Sequence, residues 1–322
     1  MHSPSELLKH VEQAINETTY PEYPASLYEP ISYIMNLGGK RLRPIMLLMS
    51  AELFNGDLKA AIPAAMAIET FHNFTLIHDD IMDKAPLRRG KQTVHEKWGD
   101  NTAILSGDVM MVEANKHITN VDVHILKHAL DTFNATAQGV CEGQQLDMEF
   151  ESRTDVSIAE YIGMIRLKTA VLLGGAMKLG AITAGATPEE AELIYQFGES
   201  LGIAFQLQDD ILDVYGDPEK FGKQVGGDII SDKKTFLRLK LQELASVDHL
   251  KHLDAQVINR DHAAKVANVT DLYNLYEVRE KATEIMKKYL DNAFSALEQI
   301  NVPDQNKKEL MLLANQLMNR EH

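Results

Sequence analysis

The chain has 322 residues, 45% of them hydrophobic, a single cysteine and a formal net charge of −15. That length and apolar content suffice for a large buried core. The acidic balance opposes binding to nucleic-acid phosphates or anionic membrane surfaces, so any bound phosphate must meet a local basic cluster. Cys141 cannot form an internal disulfide, and the opening MHSPSELLKHVEQAINETTY lacks the apolar segment of a secretory signal, so a reducing cytoplasm is the expected compartment. The most apolar long stretch, TAVLLGGAMKLGAITAGA, carries Lys178 and is rich in small residues, which favours a tightly packed buried helix over a membrane span. A soluble protein without stable membrane insertion is expected.

Apolar residues recur at intervals of three and four rather than two, and the 10 prolines and 19 glycines fall mostly at segment ends. In chain order the pattern predicts helices over Ser5 to Glu17, Ser26 to Asn36, Pro44 to Phe54, Ala60 to Asp83, Asn101 to Val121 and His124 to Glu149. Further helices are predicted over Ile158 to Gly180, Pro188 to Val214, Thr235 to Ala245, His262 to Asn268, and from Leu272 into the C-terminal region. No run of alternating β-branched residues and no low-complexity linker interrupts them. One all-α domain over residues 1–322 is expected.

The pentapeptide DDIMD at 79–83 returns as DDILD at 209–213, far outside the period of a solenoid repeat. On a helix Asp79 and Asp83 are i and i+4, as are Asp209 and Asp213, so each pair projects from one face and can share a cation. Both runs sit near helix C-termini, closed by Pro86 and by YGDP, where the macrodipole disfavours negative charge by about 0.3 to 1 kcal/mol per residue. A single charge run usually marks a solvated face. Two near-identical runs at unfavourable ends point instead to hard divalent cations, Mg²⁺ above all, which keep coordination positions open for water or substrate phosphates. The counter-charges for such a phosphate lie in GGKRLRP at 38–44, LRRGK at 87–91 and KFGKQVGGDIISDKKT at 220–235. Arginine forks match phosphate geometry, and glycines allow close approach.

Together these blocks, with KTAVLLGGA at 168–176 and FQLQDDILDVYGD at 205–217, resemble the trans-isoprenyl diphosphate synthases, the chain-elongating polyprenyl synthase family, from about Gly38 to Thr235. The resemblance implies the isoprenoid synthase fold: a single-domain helical bundle around a deep central cavity, with the two aspartate-rich turns facing each other across its mouth, in a homodimer. It implies Mg²⁺ as cofactor, with isopentenyl diphosphate and allylic prenyl diphosphates as substrates. By similarity, Asp79, Asp83 and Asp209 would coordinate the metals, while Asp80, Asp210 and Asp213 would support them through hydrogen bonds. Arg88, Lys168, Thr169, Gln206, Lys223 and Lys233 match positions that hold the allylic diphosphate or its metals. Lys40, Arg43, His72 and Arg89 match the isopentenyl diphosphate site, with Arg41 ranked lower. Such a reaction ionises an allylic C–O bond and needs no side-chain nucleophile, which suits a chain without a recognisable serine elbow. An apolar, water-excluding cavity would protect the carbocation.

Phe74 and Thr75 precede Asp79 by about one helical turn and would form the cavity floor beneath the metals. Relatives making long chains tend to carry small residues there, so the Phe74 ring suggests an early stop, against the simpler reading of an ordinary core aromatic. The short DDxxD form of the first motif tilts the expected product towards geranylgeranyl diphosphate over farnesyl diphosphate. Glu69 and His72 have the E-x-x-H spacing of carboxylate-bridged di-iron bundles, but no second copy exists in the sequence. His78 is a candidate to orient Asp79, and Gln144 and Asp147 in GQQLDMEFE match a family block with a supporting role. A terpene cyclase would replace the second aspartate-rich turn by an Asn/Ser/Glu pattern, and a non-catalytic regulatory subunit would have lost aspartates or arginines. This chain keeps both.

Overall fold

The computed structural model describes residues 1–217, 225–258 and 260–318. The chain is all-α. Helices α1 Pro4–Glu17, α2 Ala25–Met35, α3 Leu42–Leu53 and α4 Leu58–Met82 are followed by a two-stranded hairpin, β1 Leu87–Arg88 and β2 Lys91–Gln92. Next come α5 Val94–Trp98, α6 Asp100–Ile118, α7 Leu126–Ser152, α8 Ile158–Ile165, a π-helical turn Arg166–Ala170, α9 Val171–Thr183 and α10 Pro188–Tyr215. The remaining helices are α11 Gly227–Ile230, α12 Phe236–Leu244, α13 Val247–Val257, α14 His262–Leu275, α15 Val278–Gln299 and α16 Asp304–Met318. Among the described residues no helix is long and apolar enough to cross a membrane.

The described residues divide into two compact units, one of residues 1–137, 175–195 and 300–310, the other of 138–174, 196–217, 225–258, 260–299 and 311–318. In the first, α1 starts at a capping box: Ser3 Oγ accepts from the Glu6 amide, and the Glu6 carboxylate accepts from the Ser3 amide at 2.8 Å. Leu7, Val11 and Ile15 then recur every four residues and are buried, the spacing of one helix face. Helices α3 and α4 are apolar nearly all round, with Met46, Leu47, Leu48, Ala64, Ile68 and Phe71 inaccessible to solvent, which is the pattern of helices enclosed by their neighbours. Asp57 caps α4 by accepting from Lys59 N at 3.0 Å.

In the second unit, α8 starts at another capping box, Ser157 with Glu160. It passes without a break into the π-helical turn, closed by a bond from Val171 N to the Arg166 carbonyl five residues back. Gly143 on α7 explains how that turn fits. A Cβ at this position would lie 2.1 Å from the backbone nitrogen of Lys168, so only glycine lets the two backbones meet.

The sequence-predicted helices are present, and the structure adds to them. The LRRG segment, outside every predicted helix, forms the hairpin; the helix expected over Ile158 to Gly180 contains the π-helical turn; and the short helices α5 and α11 were not expected, nor was α13. Its repeat VDHLKHLDAQV buries only Leu253 and Gln256, too few apolar positions to mark it as helical.

Candidate active site

In the first unit Asp79 and Asp83 occupy the last turn of α4. The Asp83 N–H donates to the Asp79 carbonyl at 2.9 Å, the i to i+4 bond that places both carboxylates on one face. Asp83 is exposed and Asp79 half-buried. Asp80 is 2% exposed and accepts from Nε and Nη2 of Arg88 at 2.7 and 2.8 Å. This bidentate fork is the strongest common form of ion pair. The same Nη2 lies 3.8 Å from Asp79 Oδ2. The hairpin supplies the arginine. Its register pairs Arg88 with Lys91, so Arg89 and Gly90, with φ of 52° and 73°, make the two-residue turn with positive φ at both positions that matches strand twist.

Arg89 donates from the hairpin tip to the Gly38 carbonyl. In the loop beyond, Arg41 adopts φ 46°, ψ 36° at the start of α3, and its guanidinium is buried, donating to Glu69 Oε1 at 2.5 Å and to the Met35 carbonyl. Asn73 Nδ2 donates to the same Glu69 oxygen at 2.9 Å. Glu69 is therefore half of a buried ion pair, which removes the di-iron reading of the E-x-x-H spacing. Arg43 Nη1 lies 3.1 Å from His72 Nε2. Burial holds His72 well below its ordinary pKa, and Arg43, Arg89, Arg88 and Arg41 push the same way. His72 is thus neutral and accepts at Nε2. Burial also lowers Arg43 and Arg89, each further lowered by a neighbouring arginine. Four guanidinium groups thus share one neighbourhood, and Lys40 stands exposed on the same loop.

Phe74 is half-buried and packs on Phe71 and His78 with centroids 5.5 and 4.7 Å away. Thr75 Oγ1 donates to the His72 carbonyl at 2.8 Å. His78 Nε2 lies 3.2 Å from the Ile104 carbonyl and 3.9 Å from Asp108, both on α6.

In the second unit Lys168 and Thr169 lie in the π-helical turn. Lys168 Nζ donates to Asp147 Oδ2 at 2.6 Å, and Thr169 Oγ1 to Gln206 Oε1 at 3.3 Å. On α10, Asp209 is half-buried and Asp210 buried. Asp210 accepts from Gln206 Nε2 at 3.2 Å and from the Tyr161 hydroxyl. Burial, then the charge of Asp228, pushes the Asp210 carboxyl up to about 7 against the lowering effect of Tyr161, Gln206 and Lys233. Asp213 accepts from the Asp228 amide at 3.0 Å. Lys233 is exposed, and Lys223 lies outside the described residues. Tyr161 was missed from the sequence because an aromatic on an apolar helix face carries no local sign of a polar partner.

Among the described residues no three His, Cys, Asp or Glu side chains form a ready-made metal cage. The donors are carboxylate oxygens one turn apart, which fits a hard divalent cation that leaves most of its positions to water and phosphate oxygens.

An all-α isoprenoid synthase fold with aspartate-rich helix ends and a guanidinium cluster defines a prenyltransferase. The chain belongs to the polyprenyl synthetase family, which it matches over residues 24–276. It is 43% identical to the geranylgeranyl diphosphate synthase of Methanosarcina mazei over 71% of each chain. A crystal structure of a geranylgeranyl pyrophosphate synthase superposes with a TM-score of 0.95 at 43% identity over 100% of both chains. The corresponding synthetase from Pyrococcus horikoshii gives 0.89 at 36% identity over 98% of this chain and 96% of that one. The family is divalent-metal dependent and uses isoprenoid diphosphates.

Glu69→Gln leaves the Arg41 guanidinium buried without its counter-ion, which should cost about 3 to 5 kcal/mol in urea unfolding. A loss below about 1 kcal/mol would mean that water reaches the pair. Because folded His72 binds its proton less tightly than the unfolded chain's imidazole, the unfolded state takes up more protons below about pH 6.5. Stability attributable to His72 is therefore complete above that pH and declines as pH falls towards the folded value. Unfolding midpoints measured between about pH 5 and 7.5 should drop more steeply for wild type than for His72→Gln; equal slopes would refute this assignment.

Proposed function

We propose that the protein is a short-chain trans-prenyl diphosphate synthase that joins isopentenyl diphosphate head-to-tail to an allylic diphosphate, with geranylgeranyl diphosphate as the favoured product. The observation that carries this reading is the coexistence, within one unit, of an i, i+4 aspartate pair at the end of α4 and a cluster of four arginines around a neutral histidine. Carboxylates recruit the cation, and guanidinium groups meet the phosphates that an acidic protein would otherwise repel. The names of the geranylgeranyl diphosphate synthases quoted above support the substrate class and the product.

Mg²⁺ is assigned to Asp79, Asp83 and Asp209 by the family resemblance, and the i, i+4 carboxylate pair at the end of α4 supports the assignment. When bound, it would neutralise charge developing on the departing diphosphate. Asp80 and Arg88 hold the Asp79 turn rigid, so that no side chain needs to reorganise as charge develops. Arg88, Lys168, Thr169, Gln206, Lys223 and Lys233 are assigned to the allylic diphosphate, and Lys40, Arg43, His72 and Arg89 to isopentenyl diphosphate. The allylic C–O bond breaks with its electron pair leaving on diphosphate. The isopentenyl double bond then attacks the carbocation, and the proton lost from the adduct passes to the released diphosphate. His72 contributes as a neutral group: it accepts from Arg43 and fixes that guanidinium without adding charge of its own. Phe74, with Thr75 beside it, sets the chain length. Its half-buried ring packs on Phe71, which is fully buried, and this supports the role. A homodimer in the cytoplasm completes the proposal.

Asp79→Ala or Asp209→Ala should lower Mg²⁺-dependent condensation at least about a hundredfold while the circular dichroism spectrum stays unchanged. Near wild-type turnover in either variant would remove that residue from the metal site. Phe74→Ala should shift the dephosphorylated products, separated by chromatography, towards chains longer than twenty carbons. An unaltered product distribution would show that the ring does not limit growth.

A further inference from the structure

The hydrogen bonds around Asp210 form a chain that ends on two residues of the proposed allylic site. Tyr161, on α8, is 2% exposed, and its hydroxyl donates to Asp210 Oδ2. The N–H of Phe236, first residue of α12, points at the same oxygen from 3.4 Å. Asp210 Oδ1 accepts from Nε2 of Gln206, one turn earlier on α10, at 3.2 Å. Gln206 Oε1 in turn accepts from Thr169 Oγ1 at 3.3 Å. All these residues belong to the second unit.

We propose that Tyr161 is a positioning residue for the allylic diphosphate, acting through Asp210 to hold the Gln206 amide and the Thr169 hydroxyl in one orientation. The inference rests on the synthase reading above, which assigns Gln206 and Thr169 to that substrate. A side-chain amide can turn over without changing its shape, exchanging a donor for an acceptor. In the structure the NH₂ group of Gln206 faces Asp210 Oδ1, and its oxygen is thereby presented to Thr169. Thr169 must then donate. Asp210, accepting at both of its oxygens, sets the polarity of the whole chain.

That control requires the carboxylate itself to be still. Rotation of an aspartate about its terminal torsion is soft, and the Phe236 amide is a long contact. The Tyr161 phenol, rigid and enclosed, pins the second oxygen. Burial first, then the charge of Asp210, pushes the Tyr161 hydroxyl well above its ordinary pKa, so it remains a donor. Tyr161 is given no other task in the reaction.

Tyr161→Phe removes one oxygen and keeps the ring. Calorimetry with farnesyl diphosphate and Mg²⁺, isopentenyl diphosphate being absent so that no turnover occurs, should show Kd raised about tenfold, the loss expected for one hydrogen bond. Kd for isopentenyl diphosphate should stay within about twofold, because its assigned residues lie outside this chain of bonds. In a Gln206→Leu background the same substitution should leave farnesyl diphosphate affinity unchanged, because the link is already cut. Unchanged affinity in Tyr161→Phe, an equal loss for both diphosphates, or the same loss in both backgrounds overturns the proposal. Should Tyr161→Phe fail to fold by circular dichroism, Asp210→Asn serves in its place: a selective loss of farnesyl diphosphate affinity supports the proposal and a wild-type affinity overturns it. Failure of the wild-type protein to elongate any primer would sink the synthase reading, whereas an unaltered Tyr161→Phe affinity in an elongating enzyme sinks the role of Tyr161 alone.

Discussion

The two parallel hydrogen bonds from Arg88 to Asp80 hold together the part of the molecule on which the rest depends. Three aspartates within five residues at a helix C-terminus repel one another and oppose the macrodipole. The sequence answers this at once with a hairpin whose first strand carries a guanidinium back to the middle carboxylate. Asp80 is buried and fully engaged, while its neighbours Asp79 and Asp83 lie on the more accessible face of the turn. Crowded like charges and the opposite charge that follows them are thus one device: the arginine anchors the turn, and the proposed divalent cation would relieve what remains.

The GGKRLRP loop uses burial to a different end. Arg41 is removed from solvent and matched to Glu69, an arrangement that adds little net stability but is costly to break. Its consequence is positional. With Arg41 held in a left-handed conformation at the start of α3, Arg43 comes two residues later to His72, and Arg89 closes on the Gly38 carbonyl from the hairpin tip. Burial and the surrounding guanidinium charge both keep His72 neutral, so the local field is supplied by arginines, whose charge does not titrate near neutral pH.

In the second unit the π-helical turn does comparable work with backbone geometry. Consecutive residues there pair with different helices: Lys168 with Asp147 on α7, Thr169 with Gln206 on α10. An extra residue in a helical turn changes the direction of the side chains that follow, and such turns recur at functional sites. Gly143 makes it possible by letting the α7 backbone touch that of Lys168.

The sequence by itself determined the all-α class, most helix positions and the i, i+4 aspartate pairs, since each depends on residues within about one turn of one another. Its family motifs also named the charged groups proposed for both substrate sites. Tertiary structure decided which of those charges are spent and on what. Arg41, ranked below Lys40 and Arg43, is the buried one; its partner Glu69 lies 28 residues away. His78 Nε2 meets the Ile104 carbonyl on α6, and Tyr161 finds Asp210 across 49 residues. The hairpin, α13 and the π-helical turn escaped for a related reason: their apolar periodicity is short or locally broken, and packing against distant segments selects the conformation. Periodicity is written in near neighbours, whereas burial and pairing of a charge depend on what the folded chain brings to it.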